Sequence, residues 1–297
     1  MAAIDSLREP VPRAALGWSG ARLQNALVQS GRYAVLVFFL VVSLYPVVLM
    51  WASALKTSRE IARDPLALPS SLNMENLQTA WTVGRFDRYL GNSVLYSIAI
   101  VTGVVVLSSL AGYSLARLRV AHHRVVFIGF LLGLMVPFQS IMIPLYYLLR
   151  DMNVLGTYWA MILPSIGLGL PFGVFYMRAF FRGLPGELAD AARVDGGSEW
   201  QVFAQIMLPL ARPGLATLAV FQLMTTWNSF LVPLVFVQRD ELRPIALGAM
   251  FFSGRYTADR GLIAAGVTIS IVPIVILYLF MQRQFIRGIT AGALKGE

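Results

Sequence analysis

Six long apolar segments, most of them free of charge, constrain this chain more than any other feature. The hydrocarbon core of a bilayer is about 30 Å thick, and roughly 20 helical residues at 1.5 Å each cross it. Five segments contain no Asp, Glu, Lys or Arg, and the fourth contains only Arg178, near its end. Because lipid offers no partner for a free backbone N–H or C=O, each segment is predicted to be helical. The predicted spans are residues 33–55, 89–116, 125–149, 157–181, 213–237 and 261–282.

Composition favours the same fold class, an all-α polytopic membrane protein. Hydrophobic residues make up 57% of the chain and charged residues 13%, whereas soluble domains carry about 25% charged residues. The chain has no cysteine, which excludes disulfides and cysteine-ligated zinc or iron–sulfur sites. Its net charge of +9 comes mainly from arginines at the ends of apolar segments. That pattern is typical of membrane anchoring, so nucleic-acid binding is not predicted.

The charges of the short connections predict the orientation in the membrane. Six spans place both termini on one side. Three arginines crowd residues 117–124, whereas Arg150 stands beside Asp151 in the next connection. Because short, positively charged loops face the cytoplasm, both termini are predicted to be cytoplasmic. The predicted layout adds a cytoplasmic N-terminal segment at 1–32, in which residues 14–32 are candidates for an interfacial helix, and a cytoplasmic tail at 286–297.

The long connection at residues 183–212 predicts a helical hairpin on the cytoplasmic face. Pro185 marks a helix start. The Asp-Gly-Gly sequence at 195–197 stops that helix, because Gly adopts positive φ without steric cost. Ser198, with Gln201 three residues later, forms a capping box that begins a second helix.

The second helix of this hairpin is expected to end at Leu208–Pro209 and carries an apolar face. Trp200, Phe203 and Met207 fall at helical spacing, and one small helix cannot bury them alone. Docking against a separate protein is favoured, and a lid folded back onto the membrane surface is the alternative.

Chemistry that the chain lacks narrows its function. Lys56 and Lys295, its only lysines, do not stand in a G-x-x-x-x-G-K-[ST] phosphate loop, so no ATPase site is predicted and the chain is not expected to be an enzyme. The predicted spans contain no acidic residue, whereas proton-coupled carriers commonly use intramembrane carboxylates. No catalytic residue and no metal ligand is assigned.

Uncharged polar residues inside the spans have two interpretations. They could form interhelical hydrogen bonds, or they could line a hydrated pathway. The group at residues 222–228 is denser than helix packing requires, and amides beside a tryptophan suit a neutral, hydroxyl-rich solute such as a sugar. The candidate pathway residues are Asn92, Gln139, Gln222, Thr225, Trp227 and Asn228.

The hairpin resembles the EAA loop of permease subunits in binding-protein-dependent ABC importers. That motif is E-A-A, three residues, G, nine residues, I-x-L-P. The departure here is Asp in place of the usual Glu at the first position, which keeps the charge and shortens the side chain by one methylene. The positions that match, and that the resemblance implies in coupling to an ATPase, are Asp190, Ala191, Ala192, Gly196, Ile206, Leu208 and Pro209.

Two further segments are similar to carbohydrate-type permeases of the maltose-permease kind. Residues 227–234 match W-N-x-F-L-x-P-L, and residues 282–296 are similar to the ending F-x-x-G-L-T-x-G-A-x-K-G. The resemblance runs from about residue 30 to the end and implies a type I ABC importer transmembrane domain at 33–285, whose coupling helix lies in 183–212.

The resemblance also implies partners and a location. A second permease subunit, forming a heterodimer, and two ATP-binding subunits that hold ATP and Mg would assemble with this chain, which binds no cofactor itself. An extracytoplasmic solute-binding protein would deliver a sugar or oligosaccharide across a bacterial or archaeal plasma (inner) membrane. The loop at 238–260 would contact that protein, and its candidate residues are Phe251, Phe252, Arg255 and Tyr256.

Other classes of membrane protein remain as alternatives. An ion-coupled secondary carrier would transport by itself under an ion gradient. A permease of the glycerol-phosphate type shares the same motifs but takes an anionic solute. A polytopic membrane enzyme or a purely structural membrane subunit is a third class.

Overall fold

The structure is a computed structural model that describes residues 18–252 and 259–293. Within these ranges the chain forms helices and turns, without β-strands. It divides into two compact units, one up to Ala52 and one from Ser53 onward. The helices are α1 (Trp18–Ala54), α2 (Ser58–Arg63), α3 (Glu75–Thr82), α4 (Phe86–Arg117), α5 (His123–Met135), α6 (Phe138–Asp151), α7 (Trp159–Arg182), α8 (Glu187–Val194), α9 (Glu199–Leu210), α10 (Arg212–Trp227), α11 (Leu231–Phe236) and α12 (Arg260–Ala293).

Helix α1 runs without interruption from Trp18 into the first predicted span. The interfacial helix considered for residues 14–32 is therefore continuous with that span, because no proline interrupts the helix before Pro46. Residues 1–17, which include most of the predicted N-terminal segment, lie outside the described residues. None of the residues in the most apolar stretch of Leu27–Ala54 is buried.

The predicted spans correspond to long helices in four cases. Among the described residues, four helices are long and apolar enough to cross a membrane, and the number is six if each of two bent helix pairs is one span. The all-helical membrane fold predicted from the sequence is confirmed. The four long stretches are Leu27–Ala54, Phe86–Arg117, Trp159–Arg182 and Arg260–Phe280.

The third and fifth predicted spans are each divided. Helices α5 and α6 meet at an angle of 103°, and Val136 between them is extended, with φ −80° and ψ 112°. Pro137 explains the break, since proline has no N–H to donate and disfavours helical backbone in the residue before it. The fifth predicted span is broken because α10 ends at Trp227 and α11 begins at Leu231. A separate bend of 73° lies before this span, between α9 and α10, which form the second bent pair.

Close packing of α4 against α7 organises the second unit. A Cβ at Gly112 would lie 2.8 Å from the Cβ of Met177, and one at Gly173 would collide with Ser108, so each glycine lets the other helix approach. Two buried apolar clusters lie toward opposite ends of α4. One includes Tyr96, Ile100, Met161 and Phe236, and the other includes Tyr113, Met177, Phe181, Phe203 and Met207.

Candidate functional site

The predicted hairpin is present and is formed by α8 and α9. Gly196 in the turn has φ +86°, a left-handed backbone conformation that favours glycine. The Ser198 hydroxyl accepts from the Gln201 N–H while the Gln201 side chain accepts from the Ser198 N–H, so the capping box is confirmed. The expected end at Leu208–Pro209 is wrong by a short distance, because α9 continues to Leu210. Its middle part, Val202–Met207, is a π-helix.

An ion-pair network ties the hairpin to itself and to α4. The Arg193 guanidinium donates to Asp190 Oδ1 at 2.6 Å and to Glu199 Oε1 at 2.7 Å. Tyr113 of α4 donates its hydroxyl to Glu199 Oε2 at 3.3 Å. The hydrogen bond from Arg193 lowers the pKa of Glu199 and, reciprocally, the bond to Glu199 raises the pKa of Arg193.

The residues of the motif divide between the surface and the core of the unit. Asp190, Ala191 and Gly196 are exposed, whereas Ala192, Ile206, Leu208 and Pro209 are half-buried. The predicted apolar face of α9 is largely covered by this chain, because Phe203 and Met207 are buried with Tyr113 and Phe181. The exposed large apolar side chains of the hairpin are Leu188, Val194, Trp200 and Leu210, with exposures of 46%, 87%, 66% and 40%.

A small cavity of about 140 Å³, with both polar and apolar side chains in its wall, lies between α7 and α10. Gln222 at its wall is buried and donates to the Thr226 hydroxyl at 3.3 Å. Gly169 of α7 lies directly beside it, where a Cβ would come within 2.9 Å of Gln222 Oε1. The polar side chains lining the cavity are Ser165, Gln222, Thr225, Thr226 and Ser229.

Of the six candidate pathway residues, the structure brings Gln222 and Thr225 together in this cavity. Trp227 is buried and donates its indole N–H to the carbonyl of Ser270 in α12 at 3.2 Å. Asn92 is buried near the start of α4 and bonds to the loop at 241–243. Gln139 and Asn228 are exposed at other positions, and Asn228 donates to the Met224 carbonyl.

A larger cavity of about 460 Å³ lies between the bent pair α5–α6 and α7. Every side chain that lines it is apolar or is a glycine or proline. Such a wall offers no side-chain hydrogen bond to a polar solute. The smaller cavity is therefore the better candidate for contact with a hydroxyl-rich molecule.

The candidate loop residues at 251–256 are described only in part. The ring of Phe252 is buried and stacks on Phe86 of α4, with centroids 6.2 Å apart. Arg255 and Tyr256, together with the side chain of Phe251, lie outside the described residues. Phe252 therefore packs inside the unit, an arrangement that its prediction as a contact residue did not include.

Several residues of these sites were not singled out from the sequence. Arg193 and Glu199 join Asp190 through contacts in three dimensions, although the spacing of three residues between Asp190 and Arg193 on one helix is a recognisable signal. Ser165 reaches the cavity from a different helix than Gln222. No sequence pattern pairs these two helices.

Comparisons with known proteins identify the family of the chain. A family model described as "Binding-protein-dependent transport system inner membrane component" matches residues 105–291. The chain is 37% identical over 263 residues to the arabinooligosaccharides transport system permease protein AraQ of Halalkalibacterium halodurans, covering 87% of this chain and 94% of that protein. It is 32% identical over 256 residues to the trehalose transport system permease protein SugB of Mycobacterium tuberculosis, covering 86% and 93%.

Solved structures share the fold. A crystal structure of a bacterial ABC transporter that imports the acidic polysaccharide alginate matches with a TM-score of 0.75 and 19% identity, over 88% of this chain and 98% of that chain. Another, of a bacterial alginate transporter with its pentasaccharide-bound periplasmic protein, matches with a TM-score of 0.62 and 15% identity, over 89% and 95%. The chain belongs to the family of binding-protein-dependent transport system inner membrane components, the multi-pass permease subunits of ABC importers.

Proposed function

We propose that this permease forms half of the pathway by which an ABC importer takes up a sugar or an oligosaccharide. The cavity between α7 and α10 carries the proposal, because its wall is uncharged and sets hydroxyl and amide groups beside apolar and aromatic side chains. Its side chains can donate to and accept from sugar hydroxyls. Relatives whose names specify arabinooligosaccharides and trehalose support the same class of cargo.

The size of the cavity indicates that it is one wall of a shared site. Small-molecule pockets usually measure about 300–1,000 Å³, and this cavity measures about 140 Å³. A second permease subunit would supply the facing wall, as expected for a heterodimer in which each chain contributes half of the pathway.

The lining also discriminates between the alternatives. A glycerol-phosphate-type permease carries an anion, and anions are commonly held by Arg or Lys, but the cavity has no charged side chain. A proton-coupled carrier commonly uses intramembrane carboxylates, which the lining also does not provide.

Coupling to the ATPase subunits is assigned to the hairpin. Asp190, Ala191 and Gly196 are exposed there, next to Val194 and Trp200. Aromatic anchors are enriched at the energetic centres of protein interfaces. In this proposal the ATPase partners bind ATP and Mg, and this chain contributes no ATPase site. The hairpin and both termini face the cytoplasm.

Contact with the extracytoplasmic solute-binding protein is assigned to the loop at 238–260. Because the Phe252 ring packs on Phe86, its part in this proposal is to hold the loop. Phe251, Arg255 and Tyr256 are the residues proposed to touch the partner.

Two matched threonine substitutions on α10 test the cargo assignment. Thr225 and Thr217 both donate their hydroxyls to the carbonyl four residues earlier, at 2.9 Å, but only Thr225 lines the cavity. In the assembled transporter, Thr225→Val is expected to raise the KM for sugar uptake about fivefold, the value of about one hydrogen bond, and Thr217→Val to leave it unchanged. Equal KM values for both variants and the wild type would remove the cavity from the pathway.

A further inference from the structure

A row of polar side chains near the start of α4 holds the loop at 238–252. They stand at positions that share one face of a helix, and each bonds to residues 240–245. The bonds are Tyr89 Oη to Asp240 Oδ1 (2.9 Å), Asn92 Nδ2 to the carbonyls of Glu241 and Arg243 (2.9 Å each), Tyr96 Oη to the carbonyl of Leu242 (2.9 Å), and the Ile245 N–H to Ser93 Oγ (2.8 Å).

Asn92 also joins this loop to α7. Its carbonyl oxygen accepts from the hydroxyl of Tyr158, the residue before α7, at 3.0 Å, while its amide nitrogen donates to the loop. The side chain is 5% exposed. A buried amide whose donor and acceptor atoms are both engaged fixes the positions of its partners. The loop, α4 and α7 therefore meet at a single side chain.

The other end of α4 is bonded to α7 and to the hairpin. Arg117 donates from Nε to the carbonyl of Phe181 at 3.1 Å and also to the carbonyl of Leu184. Tyr113 donates to Glu199 of the hairpin at 3.3 Å. Its ring packs on Phe203 of α9, with centroids 5.0 Å apart.

Between these two ends α4 is a single uninterrupted helix. It has 32 residues and contains no proline, and at 1.5 Å per residue Tyr96 and Tyr113 are about 26 Å apart along its axis. Glycines at 103, 112, 169 and 173 bring α4 and α7 into close contact along that length. The third and fifth predicted spans are broken, whereas this one is continuous and is positioned to move as a rigid body.

We propose that α4, clamped to α7, is a strut that transmits the docking of the solute-binding protein at the loop to the ATPase-facing hairpin. Tyr96 and Tyr113 are positioning residues at its two ends. The inference rests on the proposed function, since it takes the loop and the hairpin as the contacts with the two partners. Movement of the loop would shift α4, and through Glu199 the shift would reach the hairpin.

Matched Tyr→Phe variants test the strut in the complete transporter reconstituted in nanodiscs. Tyr96→Phe and Tyr113→Phe each remove one hydroxyl at one end. Tyr147→Phe on α6, where the ring lies half-exposed beside Arg150, removes the same atom elsewhere and is the control. Three quantities are measured: basal ATP hydrolysis, the factor by which the binding protein stimulates it, and the affinity of the complex for that protein.

The strut predicts that each end variant lowers stimulation about fivefold while basal hydrolysis and affinity stay at the wild-type values. The double variant is expected to lose no more stimulation than the more severe single variant, because Tyr96 and Tyr113 lie on one path. Wild-type stimulation in either single variant, multiplicative losses in the double variant, or loss of assembly or basal hydrolysis would overturn the strut and leave the proposed function intact. A wild-type complex that the binding protein does not stimulate would overturn both.

Discussion

Gly169 makes room for the amide of Gln222 at the wall of the cavity. A Cβ there would lie 2.9 Å from Gln222 Oε1 and 2.8 Å from Val104 Cγ2, whereas a Cβ at Gly167 on the same helix would meet nothing within 4 Å. Gly169→Ala is expected to destabilise the permease by about 1–3 kcal/mol, the usual cost of overpacking, and to raise the KM for sugar.

The matched variant Gly167→Ala controls for the added methyl group. It is expected to leave thermal unfolding in detergent and uptake at wild-type values. If Gly169→Ala has the same unfolding temperature and uptake as Gly167→Ala, the close approach of α4, α7 and Gln222 is not required for stability or transport.

The ion pair of Glu199 gives the hairpin a definite pH dependence. Hydrogen bonding to Arg193 lowers the pKa of Glu199 from its ordinary value of 4.5. A carboxylate whose pKa is lowered on folding contributes stability above its ordinary pKa and loses it as the pH falls through the folded value. Between about pH 6 and pH 8 the carboxylate stays charged, so its contact with Tyr113 is unaffected.

Substitution of this carboxylate is expected to act at every pH in that range. The ratio of binding-protein stimulation in Glu199→Gln to that in the wild type should be below one and constant from about pH 6 to pH 8. A ratio that changes with pH in this interval would mean that another group governs the contact.

For single residues, the sequence predicted which side chains belong to a site better than it predicted their bonding partners. Asp190 was predicted from its motif and pairs with Arg193 on the same helix, but the second ion pair of Arg193, with Glu199, depends on the folded turn. Asn92 and Trp227 were predicted to line a pathway; in the structure Asn92 bonds to a loop and Trp227 bonds to α12. Polarity within a span shows that a partner is needed, but it does not show which one.

Elements of the hairpin carry the proposed contact with the ATPase. Trp200 is 66% exposed there. Trp159, at the start of α7 and outside the hairpin, is 55% exposed. Trp200→Ala is expected to weaken binding of the ATPase subunit at least about 30-fold, since aromatic hot spots contribute about 2 kcal/mol or more. Trp159→Ala, a change of the same size, is expected to leave binding unchanged in a co-purification titration. Equal affinities for the two variants would place the contact elsewhere.

Helix existence was predictable from apolar length, whereas helix continuity was not. The break at Val136 follows from the proline that comes after it, and the end of α10 at Trp227 is a second break that a hydropathy count does not include. The hairpin was predicted well because its glycine turn and capping box are short-range signals. The extent to which Phe203 and Met207 are covered depends on α4 and α7, which lie far away in sequence.

For the whole molecule, the sequence and the structure describe a subunit that works with partners. Its cavity is smaller than the usual small-molecule pocket, its hairpin leaves an aromatic side chain exposed, and its loop at 238–252 is held by a polar row on α4. Under the proposed function, a second permease would complete the cavity, an ATPase would contact the hairpin and a binding protein would contact the loop. Transport is therefore expected only from the assembly.

Uptake of radiolabelled sugar into proteoliposomes tests most directly whether transport requires the assembly. One set of vesicles contains this chain with its partner permease, the ATPase subunits and lumenal binding protein, and the other contains this chain alone under a proton or sodium gradient. The account predicts ATP-dependent transport in the first set, lost when the ATPase or the binding protein is omitted, and none in the second. Ion-driven sugar uptake by the chain alone would contradict it.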